Sequence, residues 1–386
     1  MKNTAFTPPG KTSSLTSGKP AGKKRVLGAQ ELFDLRATLQ GATIAALLDS
    51  RRWEPGEIAF QGGTCLHLAH GSVRFSEDLD FLIRGGLSLS ALAQAVKQRL
   101  RLPSSVASDL QVFVEPGRDE RNPHQFDVVL RSDAVIGSAR VKVELWQTPA
   151  DALKALQIKV CTVRHPAGQA FVPSLTLQEV FADKVFALGA RSRIKARDIF
   201  DLWWLQSQER VEPRVEASAL RTRLRIYPAP SGQEIDALAR WLDGAQARQS
   251  DLRSESALKV IQADLKRWLP SHWDLSDAAV SGMLERSDGA LAQGIEVMRQ
   301  LESELERESG VQAERDDAHT GHAAAHDAAH DADWGLFDEP DPIDQELAFE
   351  QSPDAIEAQD SVDSQEDALA QECEQACDED MAGHDE

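Results

Sequence analysis

The chain has 386 residues, 41% of them hydrophobic, which is enough for a sizeable core and for two domains with unstructured ends. Its net charge of −21 is unevenly spread: residues 309 to 386 hold 25 Asp and Glu against one basic residue, Arg315, leaving the other 308 residues at a net +3. No run approaches the roughly 18 apolar residues that span a bilayer. The N-terminus has lysines but no apolar signal segment. Cys65, Cys161, Cys373 and Cys377 make no disulfide framework, so a reducing cytoplasm is the expected compartment.

Residues 1 to 27 carry six Lys or Arg and no acid among Pro, Ser, Thr and Gly, and are expected to form a disordered basic arm. Gly10-Lys11-Thr12 is no phosphate loop, because Ala5 stands where the earlier glycine is required and no strand precedes it. Apolar spacing predicts a helix over 31–48 and a short strand over 58–61. Gly62 and Gly63 follow, with no Cβ to keep a phosphate from the backbone. A helix opening at Thr64 and running to residue 70 offers free N–H groups to an anion. On a strand over 78–83, Asp78 and Asp80 share a face while Leu79 and Phe81 point to the core. Paired carboxylates suit Mg²⁺, which completes its shell with water and substrate phosphates. A Gly-Gly pair alone is a turn, and an Asp-x-Asp pair alone is two solvated carboxylates. The order strand, Gly-Gly, helix, Arg74-x-Ser76, Asp-x-Asp is what points to a metal and triphosphate site.

A helix over 88–100 and strands over 110–115, 125–131 and 140–146 make the class α+β or α/β. The last strand alternates, with Val141, Val143 and Leu145 on one face and Lys142, Glu144 and Trp146 on the other. Glu144 is the candidate third carboxylate, against an ordinary exposed strand glutamate, and Asp127 on the preceding strand is its rival. Thr176 and Glu179 read as a capping box, with Lys184 two turns into the helix that follows. On the next helix, over 195–206, Arg197 and Asp201 have surface ion-pair spacing. Asp198 and Asp201 share a face and could hold Lys184 or orient an attacking hydroxyl. Trp203 and Trp204 read as core rather than as a base-stacking platform. Ten basic residues face five acids between Lys184 and Arg225, among them Arg191, Arg193, Lys195 and Arg197. The run fits a solvated helix face or a track for a nucleic acid backbone, and both readings stay open. A loop over 227–232 and further helices to about 307 follow, with Trp241, Trp268 and Trp273 as packing residues. The tail from 309 is acidic and alanine-rich, and is not expected to fold by itself. His319, His322, His326 and His330 read as part of a polar spacer, with transition-metal binding the alternative, and Trp334 to Phe337 as a short docking motif.

Gly-Gly-Thr-Cys-Leu at 62–66 and Arg-Phe-Ser-Glu-Asp-Leu-Asp-Phe at 74–81 resemble the signature of the AbiEii/AbiGii toxin-type nucleotidyltransferases, within the polymerase-beta-like nucleotidyltransferase superfamily. Every signature position is filled. Gln-Glu-Val-Phe-Ala-Asp-Lys-Val from 178 and Arg-Asp-Ile-Phe-Asp-Leu from 197 are similar to the family's helical block, so that the likeness spans about 28 to 210. The resemblance implies an α+β fold with a mixed sheet flanked by helices over 28–172 and a helical domain completing the site from 173; apolar spacing carries that domain to 308, and composition makes 309–386 a disordered acidic tail. It implies two Mg²⁺ ions on Asp78, Asp80 and Glu144, and nucleotide contacts from Gly62, Gly63, Thr64, Arg74, Ser76 and Lys184, with Asp198 and Asp201 in the site. The implied activity moves a nucleoside monophosphate from an NTP to an acceptor hydroxyl, tRNA being the favoured acceptor. The protein would be the toxin of a bacterial toxin–antitoxin or phage-defence system, restrained by a cognate antitoxin. The alternatives are nucleotidylation of a protein hydroxyl and a non-catalytic interaction protein on the same fold.

An acidic tail that mimics a polyanion would screen the mildly basic body from its substrate. Deleting residues 309 to 386 is then expected to raise activity or substrate affinity at low salt, and an unchanged salt profile would remove the idea.

Overall fold

The computed structural model describes residues 24–106, 108–117, 122–166 and 168–317, with side chains up to 307, all within one compact unit. The chain opens with β1 (Arg25–Val26), α1 (Ala29–Leu48), β2 (Ile58–Gln61), α2 (Gly62–His70), β3 (Leu79–Arg84) and α3 (Leu89–Arg99). Then come β4 (Gln111–Pro116), β5 (His124–Arg131), β6 (Val135–Ile136), β7 (Ala139–Thr148), α4 (Ala150–Ala155), β8 (Ile158–His165) and β9 (Gly168–Leu175). Six helices complete the described part: α5 (Leu177–Ala190), α6 (Ala196–Gln206), α7 (Ala217–Ile226), α8 (Glu234–Leu252), α9 (Ala257–Leu265) and α10 (Asp277–Asp317).

Seven strands form one mixed sheet in the order β4-β5-β7-β3-β2-β9-β8, while β1 and β6 pair separately. β3 runs parallel to β7 and β2 parallel to β9; the other neighbours are antiparallel. The helix-period and strand-period readings of the N-terminal half thus hold. Alternating residues Phe60, Phe81, Val128, Val141, Val143 and Leu145 build the sheet's share of the core. α1 buries Leu35, Leu39, Ile44 and Leu47, and also the polar Thr38, Gln40 and Thr43, so it lies inside the fold rather than along its surface. Gly41 makes that depth possible, since a Cβ there would stand 2.1 Å from Cγ of His165 on β8.

The helical part is stapled by close approaches of the same kind. A Cβ on Gly189 of α5 would fall 2.4 Å from the Trp241 ring, and one on Gly294 of α10 would meet Val185 at 2.9 Å. Trp241, on α8, is fully buried and donates its indole N–H to the Phe186 carbonyl at 2.8 Å. Trp203 packs with Phe200 and Trp273, in keeping with the expected packing role.

Five features differ from the sequence reading. α2 begins at Gly62 rather than Thr64, so the two glycines are its first turn. β3 begins one residue late, with Asp78 just before it. The hairpin β8–β9 was not foreseen, although its residues alternate across a Pro-Ala-Gly turn. The capping box is half formed: the Thr176 hydroxyl accepts from the Glu179 N–H, but the Glu179 carboxylate takes the Gln157 N–H and Arg223 instead. α10 runs on to Asp317, past the boundary expected at 308. The basic arm before residue 24, the histidine stripe and Trp334 to Phe337 lie outside the described residues.

Gly189→Ala is expected to overpack the α5–α8 contact and to destabilise the protein by about 1–3 kcal/mol. Urea unfolding measures this; an unchanged midpoint would mean that the helices do not cross so closely.

Candidate active site

The site grows from the β2–α2 junction. Gly62 has φ +76°, a left-handed conformation that glycine adopts without strain, and a Cβ there would lie 2.3 Å from Oδ2 of Asp80. A Cβ on Gly63 would lie 2.2 Å from Nη2 of Arg74 and 2.8 Å from the Ser76 hydroxyl. Each glycine thus admits a charged side chain against the backbone, a carboxylate at one and a guanidinium at the other. Thr64 is buried and donates its hydroxyl to the Asp78 carbonyl, while Gln40 of α1 donates to the carbonyls of Ser76 and Glu77, both at 2.9 Å. Those bonds fix the loop that delivers Asp78. His67 and His70 anchor the other end of α2 to the Ser72 and Leu175 carbonyls.

Asp80 faces Glu144 across the parallel β3–β7 pair and Gln61 across β2. Burial first, then the charges of Glu144 and Asp78, push the Asp80 carboxyl well above the usual range, and a hydrogen bond to Glu144 adds to the shift. Asp80 and Glu144 therefore meet, and the charge of Asp78, just before β3, is felt at Asp80. Asp127 stands one strand further out, opposite Lys142, with its carboxylate 2.7 Å from Arg140. The register sets Glu144, not Asp127, beside Asp80. Sequence reasoning passed over two neighbours: Lys142 Nζ lies 3.0 Å from Glu144 Oε1, and Gln125 Nε2 donates to the same oxygen at 3.2 Å. The signal for Lys142 was available, because it precedes Glu144 by two on one strand face.

Among the described residues, no group of three or more His, Cys, Asp or Glu side chains forms a ready cage for a metal ion. Mg²⁺ does not need one, since one or two carboxylates with water and phosphate suffice. The donor set is all oxygen, its mutual repulsion is relieved by a cation, and the missing Cβ of Gly62 leaves space at Oδ2 of Asp80. These residues fit a hard divalent ion.

A second, buried cluster lies beneath the glycines. Arg74 is 1% exposed and grips Asp201 of α6 with two hydrogen bonds of 2.7 and 2.8 Å; its Nη1 donates to the Phe75 carbonyl at 2.8 Å. Lys184 of α5 bridges Asp198 and Asp201, at 2.8 Å each, and Arg191 lies 2.9 Å from Asp198. Burial pushes the Asp201 carboxyl up, but Arg74 and Lys184 more than reverse it, so it lies below the usual range; Asp198 is likewise depressed, by Arg191 and Lys184 against burial. Burial lowers the Lys184 ammonium, and Asp198 and Asp201 more than restore it. Arg74 and Lys184, expected at the triphosphate, are thus turned to the two aspartates. Asp201 takes Arg74 and Lys184 rather than serving as a surface ion-pair acceptor. The neighbouring basic run is partly drawn inward: Lys184, Lys195 and Arg223 are buried and Arg197 lies 5.7 Å from the Trp268 ring centroid, while Arg193, Arg210 and Arg214 are exposed.

The chain's single tyrosine, Tyr227, closes the far side. Its hydroxyl contacts Asp183 at 3.2 Å and Gln61 at 3.4 Å, tying the end of α7 to the strand that carries the glycine turn.

The model of the family described as nucleotidyl transferase AbiEii toxin, type IV TA system, matches residues 46–279. No curated protein matches the sequence. Among solved structures, JHP933 from Helicobacter pylori is similar at 18% identity, over 74% of this chain and 99% of its own, with a TM-score of 0.38. A putative nucleotidyltransferase from H. pylori matches at 19% identity, over 69% and 98%, with a TM-score of 0.39. MenT4, a nucleotidyltransferase toxin from Mycobacterium tuberculosis H37Rv, matches at 18% identity, over 67% and 91%, with a TM-score of 0.40.

The two clusters predict opposite responses to charge removal. Asp201→Asn leaves Arg74 buried without its partner and is expected to cost about 3–5 kcal/mol at neutral pH. Because the folded-state carboxyl is depressed, that stability is present above the unfolded value of about 4 and is lost as pH falls through the folded value, so variant and wild type converge only in acid. Asp80→Asn, in chelator, is expected to stabilise the protein at neutral pH, because burial and the neighbouring acids disfavour the charged Asp80 carboxylate in the folded state. Urea titrations measure both, and equal stability of all three proteins at neutral pH would contradict the electrostatic reading.

Proposed function

Because the chain belongs to the AbiEii nucleotidyltransferase toxin family of type IV toxin–antitoxin systems, matched over 46–279, we propose that its acidic cluster and glycine turn carry Mg²⁺-dependent transfer of a nucleoside monophosphate to an RNA hydroxyl. The protein is a nucleotidyltransferase; its donor is a nucleoside triphosphate and its counterpart an antitoxin. The finer roles are our assignment. Asp78, Asp80 and Glu144 hold the divalent ions, two in number, and the α2 N-terminus at Gly62, Gly63 and Thr64 receives the triphosphate, where unpaired N–H groups meet negative charge. Bound there, the ions supply the Lewis acidity that activates the acceptor hydroxyl and neutralises the leaving pyrophosphate.

Arg74 and Lys184 keep positive charge beneath the glycines, where negative charge accumulates during phosphoryl transfer. Asp198 and Asp201 hold those two cations in place, and Ser76 supports the turn at Gly63. The observation that carries this reading is the register of Asp80 with Glu144 beside a glycine whose Cβ would overlap the Asp80 carboxylate. For the acceptor, tRNA is our choice within RNA, and a role in phage defence goes with the toxin reading. A protein hydroxyl as acceptor is the second reading, favoured by one observation: the basic run near the site is partly engaged inside the fold rather than wholly laid out as a track.

Purified protein with each α-labelled NTP, Mg²⁺ and bulk tRNA, beside Asp80→Ala, tests the assignment. Label entering tRNA, with a loss of at least about a hundredfold in the variant, is the expected result. Label in protein would select the second reading. Transfer that persists in Asp80→Ala would overturn the site.

A further inference from the structure

Lys142 has no assigned part in the transfer, yet it sits among the three acidic residues. On β7 it shares a face with Glu144, and its ammonium lies 3.0 Å from Oε1 of that residue, with side-chain exposures of 13% and 15%. A pair so far withdrawn from water is held more firmly than an ordinary surface salt bridge. Glu144 is in turn the register partner of Asp80, so the ammonium stands at the edge of the group that would ligate the ion.

We propose that Lys142 is a tethered competitor for the divalent ion: its ammonium holds Glu144 before the ion binds, and is exchanged for the ion when it does. The inference rests on the assignment of Asp78, Asp80 and Glu144 as the ion's ligands. A divalent ion on those carboxylates and an ammonium on Glu144 repel one another at contact distance, in a setting where water screens poorly. Both cannot keep the same oxygen. Two neighbours on β5 suit the exchange. Gln125 donates to Glu144 Oε1 at 3.2 Å and keeps the carboxylate oriented once the ammonium leaves. Asp127 is the register partner of Lys142 and, already paired with Arg140, offers the ammonium a second carboxylate to turn towards. Lys142 is therefore a positioning residue. Its strand holds the acids together without the ion and weakens the ion's hold, so that the ion binds firmly only when triphosphate oxygens add to the protein's ligands.

The test is equilibrium binding of Mn²⁺ alone to the full chain, read from the electron paramagnetic resonance signal of free Mn²⁺, with no nucleotide present. Lys142→Met is expected to bind Mn²⁺ about tenfold more tightly than wild type, and Lys142→Arg, which keeps the charge, no more tightly than wild type. Lys142→Gln serves as the second neutral variant should the methionine fold poorly. In chelator the neutral variants should melt below wild type, and the rise in melting temperature on adding Mn²⁺ should exceed that of wild type. A purely structural lysine would lower stability without tightening the ion. If Asp80→Asn abolishes wild-type binding while the neutral Lys142 variants bind equally or more weakly, the competitor role is overturned and the metal site stands. If Asp80→Asn leaves Mn²⁺ binding intact, the site assignment falls and this inference with it.

Discussion

Arg74 and Asp201 stand 127 residues apart in the chain and close a two-pronged ion pair that water does not reach. Burying two charges costs several kcal/mol per ion, and only near-ideal geometry with every remaining donor satisfied offsets that cost. The neighbours supply counter-charge: Lys184 lies 2.8 Å from the second oxygen of Asp201, Asp198 balances Lys184, and Arg191 balances Asp198. Gly63 must lack a side chain because Arg74 passes where one would be. The glycine at 63 and the approach of α6 to the loop before β3 go with accommodating this one pair.

Two charged groups of opposite sign then flank the first turn of α2. Beneath it the cluster of Arg74, Lys184, Arg191, Asp198 and Asp201 has three cations against two anions; beside it Asp78, Asp80 and Glu144 are offset by Lys142. An anionic triphosphate and a divalent cation are the complementary pair for such a surface. Each cation of the first cluster touches a carboxylate and ties α5 and α6 to the loop before β3, whereas the acids are crowded without full compensation, an arrangement that binding can relieve.

Much of this was legible in the sequence because the signals were local. Alternation located β7, β-rich runs located β2 and β5, helical apolar spacing located α1, and a capping box marked the start of α5. The Gly-Gly and Asp-x-Asp signatures named the turn and the two carboxylates. Register was not legible: nothing local says that Glu144 rather than Asp127 stands beside Asp80, since that depends on β7 lying between β3 and β5. Nor was the fate of the cations. Arg74 and Lys184 read as phosphate contacts, but both are buried and ion-paired with aspartates, which come from a helix more than a hundred residues after Arg74. The hairpin β8–β9 escaped because Pro166 and Pro173 interrupt otherwise good strand patterns, and Pro173 lies on β9, an interior strand, where proline is not expected.

The central claim is that the acids and the glycine turn form one site for a cation and a triphosphate. A crystal structure with Mn²⁺ and a non-hydrolysable nucleoside triphosphate tests it directly. The account predicts an anomalous peak about 2 Å from oxygens of Asp78 and Asp80, with the triphosphate against the backbone N–H groups of Gly63 and Thr64. A triphosphate bound away from this turn, or manganese bound without Asp80, would contradict it.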